Sequence, residues 1–321
     1  MGFDFPRFPN RATLVTAVVL VLLPFVLQSV TLASEIVVLA AGALSAALLL
    51  GSVGLLSFGQ GLYFGVGAYG TGLLLSKVGL GFAPSILLGT LAGALIAIPI
   101  GWMIVRRRGV YFVMLTFAFA QMGFYTMHAM GHITGGENGL SGVPRLQLAD
   151  TNAANALGIY AILAALFFLA FLLVQRLQTS SFGTVLIAIR SNEDRVEALG
   201  YNTSRYKLAA FSVAGGIAGL AGAMNTLFIG FVPPSAIELE ISERLLIIAL
   251  IGGTGSPMGA LFGAGFYAIL ADTIGHVWSR WLMIIAALLI VIVLFFKDGL
   301  VGIPAQFRDY RARRRNNAKG A

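Results

Sequence analysis

"GQGLYFGVGAYGTGLL", residues 59–74, holds six glycines and no charge, and inside it Gly65, Gly67 and Gly70 have the spacing G-x-G-x-x-G. In water that spacing is a dinucleotide fingerprint, which requires a preceding strand, a following helix and an acid about 20 residues further on. The flanks are "SFGQGLYF" and "TGLLLSKVG", and residues 85–92 contain no acid. The fingerprint reading fails. On a helical wheel, Gly61, Gly65, Ala68 and Gly72 share one face, and Gln60, Tyr63, Gly67, Gly70 and Thr71 another. Leu62, Val66 and Leu73 form the third, which can meet lipid. Small residues let helix backbones approach closely, which in lipid replaces the missing hydrophobic drive. Gln60, Tyr63, Gly67 and Thr71 then suit either a translocation path or a polar helix contact.

Working outward, the solvent is settled by charge. Of 321 residues, 58% are hydrophobic and 11% charged, against about 25% charged in soluble domains. No charge lies between Glu35 and Lys77, Lys77 and Arg106, Arg108 and Glu137, or Lys207 and Glu238. A membrane-crossing helix needs roughly 20 apolar residues, so each gap holds one span or two. The fold class is an all-α polytopic membrane protein of about eight full spans. They are expected near 12–33, 35–56, 58–76, 82–105, 110–130, 156–175, 208–231 and 281–296. The first is read as an uncleaved helix bent at Pro24, since residues 12–33 are long for a signal peptide. The run from Arg244 to Asp272 is interrupted by "GGTGSPMG" (252–259) and brings the expectation to 8–10 spans.

Short loops rich in Lys and Arg mark the cytoplasmic side. Arg106–Arg108 and the group Arg176, Arg190, Arg195, Arg205 and Lys207 place two loops there. Residues 1–305 are read as a permease domain and 306–321 as a basic tail, with both termini cytoplasmic. The net charge of +8 serves retention and contact with anionic headgroups of the bilayer, not nucleic acid. If residues 244–275 crossed only once, the tail would end outside, so they cross an even number of times or dip and return. Irregular backbone at membrane depth survives only against protein or a water-filled cavity. Gly252, Gly253, Thr254 and Gly255 are therefore either path lining or a short loop between two compact spans.

Cysteine is absent and only three histidines occur, so a metal or thiol centre is not expected. Asp272, His276 and Arg280 form a thin catalytic candidate, read with Trp278 and Trp281 as interfacial anchors. No G-x-x-x-x-G-K-[ST] occurs. Spans nearly free of acids weaken an ion-driven carrier. The chain reads as a conduit driven from outside, and within 177–207 lies a receiver for that drive. Ser191 can cap a short helix over about 192–199, with Asp194 as its partner and Gly200 as its stop. Val196 and Leu199 offer a small apolar contact. So short a helix must dock on something, either its own bundle or another subunit. Asn202-Thr203-Ser204 matches a glycosylation sequon but falls on the cytoplasmic side.

"GTVLIAIRSNEDRVEALGYNTSRYKLAAFSVAGGIAGLAGA" closely resembles the coupling loop and following span of branched-chain amino-acid ABC importer permeases, in their LivM-like branch. So do "RRRGVYFVMLTFAFAQM" (106–122), "TGGENGLSGVP" (134–144), "GFVPPSAIELEISERLLIIALIGGTGSPMGALFGA" (230–264) and "FFKDGLVG" (295–302). The resemblance implies an inner-membrane subunit, paired with a second related permease, two cytoplasmic ATPases and a periplasmic binding protein. ATP and Mg would sit on the ATPases, with no cofactor on this chain. It makes Asn192, Glu193, Asp194, Arg195, Glu197, Ala198, Leu199 and Gly200 the ATPase-coupling segment. Thr134, Gly135, Gly136, Asn138 and Gly139 become an external motif whose glycines permit a tight turn. The implied cargo is a branched-chain or related hydrophobic amino acid; urea, short amides and aromatic acids are carried by relatives. A carrier or channel working without an ATPase is the rival class.

Overall fold

The computed structural model describes residues 11–147, 151–275, 281–295 and Gly299. The basic tail 306–321, His276, Trp278 and Arg280 lie outside the described residues. Helices run in the order α1 (Arg11–Leu27), α2 (Val30–Leu48), α3 (Gln60–Leu73), α4 (Phe82–Ile104), α5 (Val110–Ala129) and α6 (Gly131–Thr134). There follow α7 (Asn152–Thr179), α8 (Ser181–Ser191), α9 (Glu193–Ala198), α10 (Thr203–Ile229), α11 (Leu239–Gly252), α12 (Met258–Gly275) and α13 (Trp281–Phe295). Single π turns, Leu49–Val53 and Leu74–Val78, lengthen α2 and α3.

Six of the described helices are long and apolar enough to cross a membrane, in line with a polytopic membrane protein. They are Val30–Val53, Phe82–Ile104, Val110–Ala129, Ala154–Thr179, Thr203–Ile229 and Met258–Gly275. The helices α1, α3, α11 and α13 have 17, 14, 14 and 15 residues. The first boundary differs from expectation. The helix expected over 12–33 stops at Leu27, where Gln28 takes φ +52, and Ser29 caps α2 by accepting from the Leu32 N–H. A hydroxyl cap outweighs the unbroken apolar run because it satisfies a backbone donor that lipid cannot.

The centre is α10, packed on α2, α3 and α4. Glycine makes these approaches. A Cβ on Gly67 would lie 2.0 Å from the Gly219 carbonyl oxygen, and one on Gly222 1.8 Å from that of Phe64. On α4, a Cβ on Gly93 would lie 2.7 Å from the Gly215 carbonyl oxygen. Aromatic rings close the same interface further along: Tyr63 and Phe112 each meet Phe211 edge-on, at 5.6 and 6.1 Å between centroids. The third face of α3 does not meet lipid: Leu62 and Val66 are buried, because α3 is enclosed on all sides.

Two ends can be told apart by contacts between loops. At one end Arg108 reaches Asp194 and Arg190 reaches the Gly51 carbonyl; we call it the basic end. At the opposite end Lys77 donates to the carbonyls of His132 and Ile133, and Leu140 pairs with Val232. The turn after α11 belongs to the basic end, since the Thr254 carbonyl lies against Gly51. α11 therefore runs to that end and α12 returns. Residues 253–257 form a short turn between these two helices. The hairpin closes on backbone: a Cβ on Gly259 would lie 2.1 Å from the Gly253 carbonyl oxygen, and one on Gly263 2.2 Å from that of Ile248.

Candidate functional site

Three short elements build the basic end. Ser180 caps α8 by accepting from the Gly183 N–H, and Gly183, Leu186 and Ile189 face inward at helical spacing. Asn192 then breaks the chain with an extended backbone (φ −162, ψ 97) and its side chain accepts from the Arg195 N–H at 3.0 Å. The cap of α9 is thus Asn192 and not Ser191, which is the last residue of α8. An amide oxygen at that position serves as well as a hydroxyl. At the other end Gly200 takes φ +88, its N–H donating to the Glu197 carbonyl at 2.8 Å and that of Tyr201 to the Val196 carbonyl at 3.3 Å. This paired closure satisfies the last free carbonyls and needs a left-handed residue, which glycine supplies without strain. The asparagine of the sequon is structural, because Asn202 caps α10 by accepting from the Arg205 N–H.

The acids of α9 are tied to basic side chains of the bundle, Glu193 largely buried and Asp194 and Glu197 exposed. Glu193 lies 2.5 Å from the ammonium of Lys207, whose side chain is only 3% exposed, and 2.9 Å from Nε of Arg108. Arg108 also reaches Asp194 at 2.6 Å and Glu197 at 3.5 Å. The Thr203 hydroxyl donates to Glu197 at 2.6 Å and lies 3.0 Å from Glu193. One guanidinium therefore gathers three carboxylates from a single helical turn. The hydrogen bond to Asp194, then the field of Glu193, raises the Arg108 pKa further above its already high range. It stays charged at any pH the fold tolerates. Val196 is buried under the helix, while Arg195, Ala198, Leu199 and Gly200 face out, with Leu199 72% exposed. Leu199 is thus a long apolar side chain open at the tip of a polar helix whose acids are tied down.

Arg108, Thr203 and Lys207 are members of this cluster that sequence reading does not assign to it. A signal for one of them exists: a lone Lys207 enters an apolar helix ten to fourteen residues after three acids. Its partner is hidden, because Arg108 lies far away in the chain and counts equally well as a topology-setting charge.

The other candidate residues scatter. Gln60 is buried and accepts from Ser45, and Tyr63 is sealed against Phe211. Gly67 lies on Gly219, and Thr71 donates to the Ser85 carbonyl. All four lie inside the bundle against neighbouring helices, and Nε2 of Gln60 has no hydrogen-bond partner there. Gly252, Gly253, Thr254 and Gly255 are the hairpin turn at the basic end. Thr134, Gly135, Gly136, Asn138 and Gly139 do come together at the opposite end: the three glycines take φ +84, +58 and +70. Thr134 donates to the Met127 carbonyl at 2.7 Å, and a Cβ on Gly139 would lie 2.5 Å from the Val232 carbonyl oxygen. The turn is thus moulded onto the segment that leads out of α10. Among the described residues no group of three or more His, Cys, Asp or Glu could hold a metal ion.

Known proteins resemble the chain in sequence. The family model described as branched-chain amino acid transport system / permease component matches residues 28–294. The high-affinity branched-chain amino acid transport system permease protein LivM of Salmonella typhimurium is 26% identical over 274 residues, covering 78% of this chain and 64% of that one. LivM of Escherichia coli K12 gives the same figures. The autoinducer 2 import system permease protein LsrC of Salmonella choleraesuis is 33% identical over 173 residues, 52% of this chain and 49% of its own. The chain thus spans just under two thirds of the LivM relatives it matches. No solved structure matches it. The family is one of transporter permeases and not of enzymes. With a match over most of its length, an all-helical bundle and six helices apolar enough to cross a membrane, the chain belongs to the branched-chain amino acid transport permease family.

Proposed function

We propose that this chain is one permease subunit of an ATP-driven importer, and that α9 carries motion into it from an ATPase. One observation supports this most: α9 is bound to the bundle through its acids and Val196 while Leu199 stands open beside the left-handed Gly200. Held inward by charge and presenting an apolar tip, the helix can both seat in a groove and pull on what it is tied to. Through Lys207 it pulls on α10, the helix at the centre of the bundle. Through Arg108 it pulls on the loop that leads into α5.

In this reading the basic end faces the cytoplasm of a bacterium, both termini lie on that side, and α1 to α5, α7 and α10 to α13 each enter the bilayer of the inner membrane. ATP and Mg bind the two ATPases, and this chain holds no cofactor. The Thr134–Gly139 turn faces the periplasmic binding protein. A second related permease covers α5, whose Tyr111, Met114, Phe117, Met122 and Tyr125 are exposed. A groove of about 950 Å³ runs along the α5 face beside Phe58 and Arg107. Branched-chain or related hydrophobic amino acids are the cargo, by analogy with the transport system that the LivM relatives are named for.

The test is Leu199→Asp in the complete complex reconstituted in vesicles. Stimulation of ATP hydrolysis by the loaded binding protein and uptake should both be lost, with insertion unchanged. Normal uptake by this variant, or concentrative uptake by the chain with no ATPase present, would refute the coupling role.

A further inference from the structure

The end opposite α9 holds a cavity of about 320 Å³ between α2, α10 and α11 that the coupling reading leaves unused. Its volume is that of a small-solute site. Two opposite charges line it: Glu35, five residues into α2, and Arg244, five residues into α11. Ionisable groups inside membrane helices are costly and as a rule functional, with a partner. Here the partnership is incomplete. Glu35 lies in the field of Arg244, yet no salt bridge closes between them. Arg244 instead gives one nitrogen to Glu240 at 2.7 Å and meets the Tyr267 hydroxyl, and its buried Nε alone has no partner. Asn225 adds an amide, and Val38, Leu39 and Phe64 supply an apolar floor.

We infer that this cavity receives the α-amino acid as a zwitterion before it enters the bundle, an inference that rests on the importer reading above. An ammonium group would meet Glu35. A carboxylate would meet the Asn225 amide and Arg244, whose guanidinium turns from Glu240 toward the cavity and satisfies Nε; Glu240 is largely exposed and can return to water. An aliphatic side chain would lie on Val38, Leu39 and Phe64. A molecule with both charges bridges the gap that the two side chains leave open, and neither half of it does. Three acids, Glu35, Glu240 and Asp272, around one arginine leave an excess of negative charge that makes the ammonium indispensable. That separates amino acids from urea, amides and aromatic acids, none of which carries a cation.

The experiment uses the complete complex in vesicles with L-leucine as probe, isoamylamine and isovalerate as half-molecules, and urea as a neutral control. Leucine carried per ATP hydrolysed should fall about tenfold in Glu35→Gln and in Arg244→Gln, a change of about 1.4 kcal/mol. ATP hydrolysis stimulated by the loaded binding protein should stay at the wild-type level. Saturation transfer from the complex to leucine methyl protons, without binding protein, should vanish in both variants and be absent for isovalerate and isoamylamine. Ile241→Trp fills the same cavity with no change of charge and should have the same effect, which guards against a folding defect in Arg244→Gln. Wild-type leucine yield per ATP in Glu35→Gln and Ile241→Trp would overturn the site and leave the importer standing. A wild-type complex that moves urea and no amino acid would overturn the site and the cargo together.

Discussion

Two regions of this molecule are held by different forces. Where α3 and α10 meet, glycine lets backbone lie on backbone, and a single added carbon at Gly67 would intrude to 2.0 Å from an oxygen. Where α9 meets the bundle, Glu193, Asp194 and Glu197 answer to Arg108, Lys207 and Thr203. The first contact is short-ranged and has no give. The second acts over several ångströms, weakens with salt when exposed and can reset its geometry. In the proposed importer, a force delivered at α9 would be taken up by an adjustable joint and passed to a rigid core.

The sharpest way to break the contrast is Gly67→Val. It should destabilise the bundle by about 3 kcal/mol, since neither backbone can retreat, read as a fall in the thermal midpoint in detergent. Lys207→Met comes next. It takes the buried ammonium from Glu193, 15% exposed, which keeps only the half-exposed Arg108 and Thr203, and should cost about 2 kcal/mol. Lys207→Met with Glu193→Gln should recover about half of that, and no recovery would show that packing matters there more than charge. Arg108→Ala should leave folding nearly intact. Uptake by the wild type should decline with added salt, while the weaker uptake of this variant should not respond to it. Smallest is Gly70→Ala. The nearest atom to its added carbon lies 3.6 Å away, so helix preference decides and about 0.5–1 kcal/mol is gained. Gly67 and Gly70 share a helix and a sequence motif but should respond with opposite signs.

Legibility follows the type of force. The α9 segment can be read because capping is local: Asn192 to Gly200 contains its own start and stop, even though the cap expected from sequence falls one residue early. The helix α8 escapes notice as a separate element, although Ser180 and the spacing of Gly183, Leu186 and Ile189 carry its signal. The α3 face assignments fare worse. In lipid, a side chain gains little by turning inward, so composition does not say whether Leu62 meets a neighbour or a tail. Gln60 and Thr71 read equally well as path lining or helix contact, and their partners Ser45 and the Ser85 carbonyl are visible only in the structure.

What the sequence determined alone was the solvent, the helical class and the place of the polar helix, because long apolar runs, charge deficits and caps are properties of neighbours in the chain. Only the tertiary structure decided that Lys207 and Arg108 share one turn of acids, that residues 252–259 turn at the basic end, and that Glu35 and Arg244 face one cavity. Each depends on helices far apart in the chain lying side by side, and close packing between backbones sets that arrangement with no trace in any local pattern.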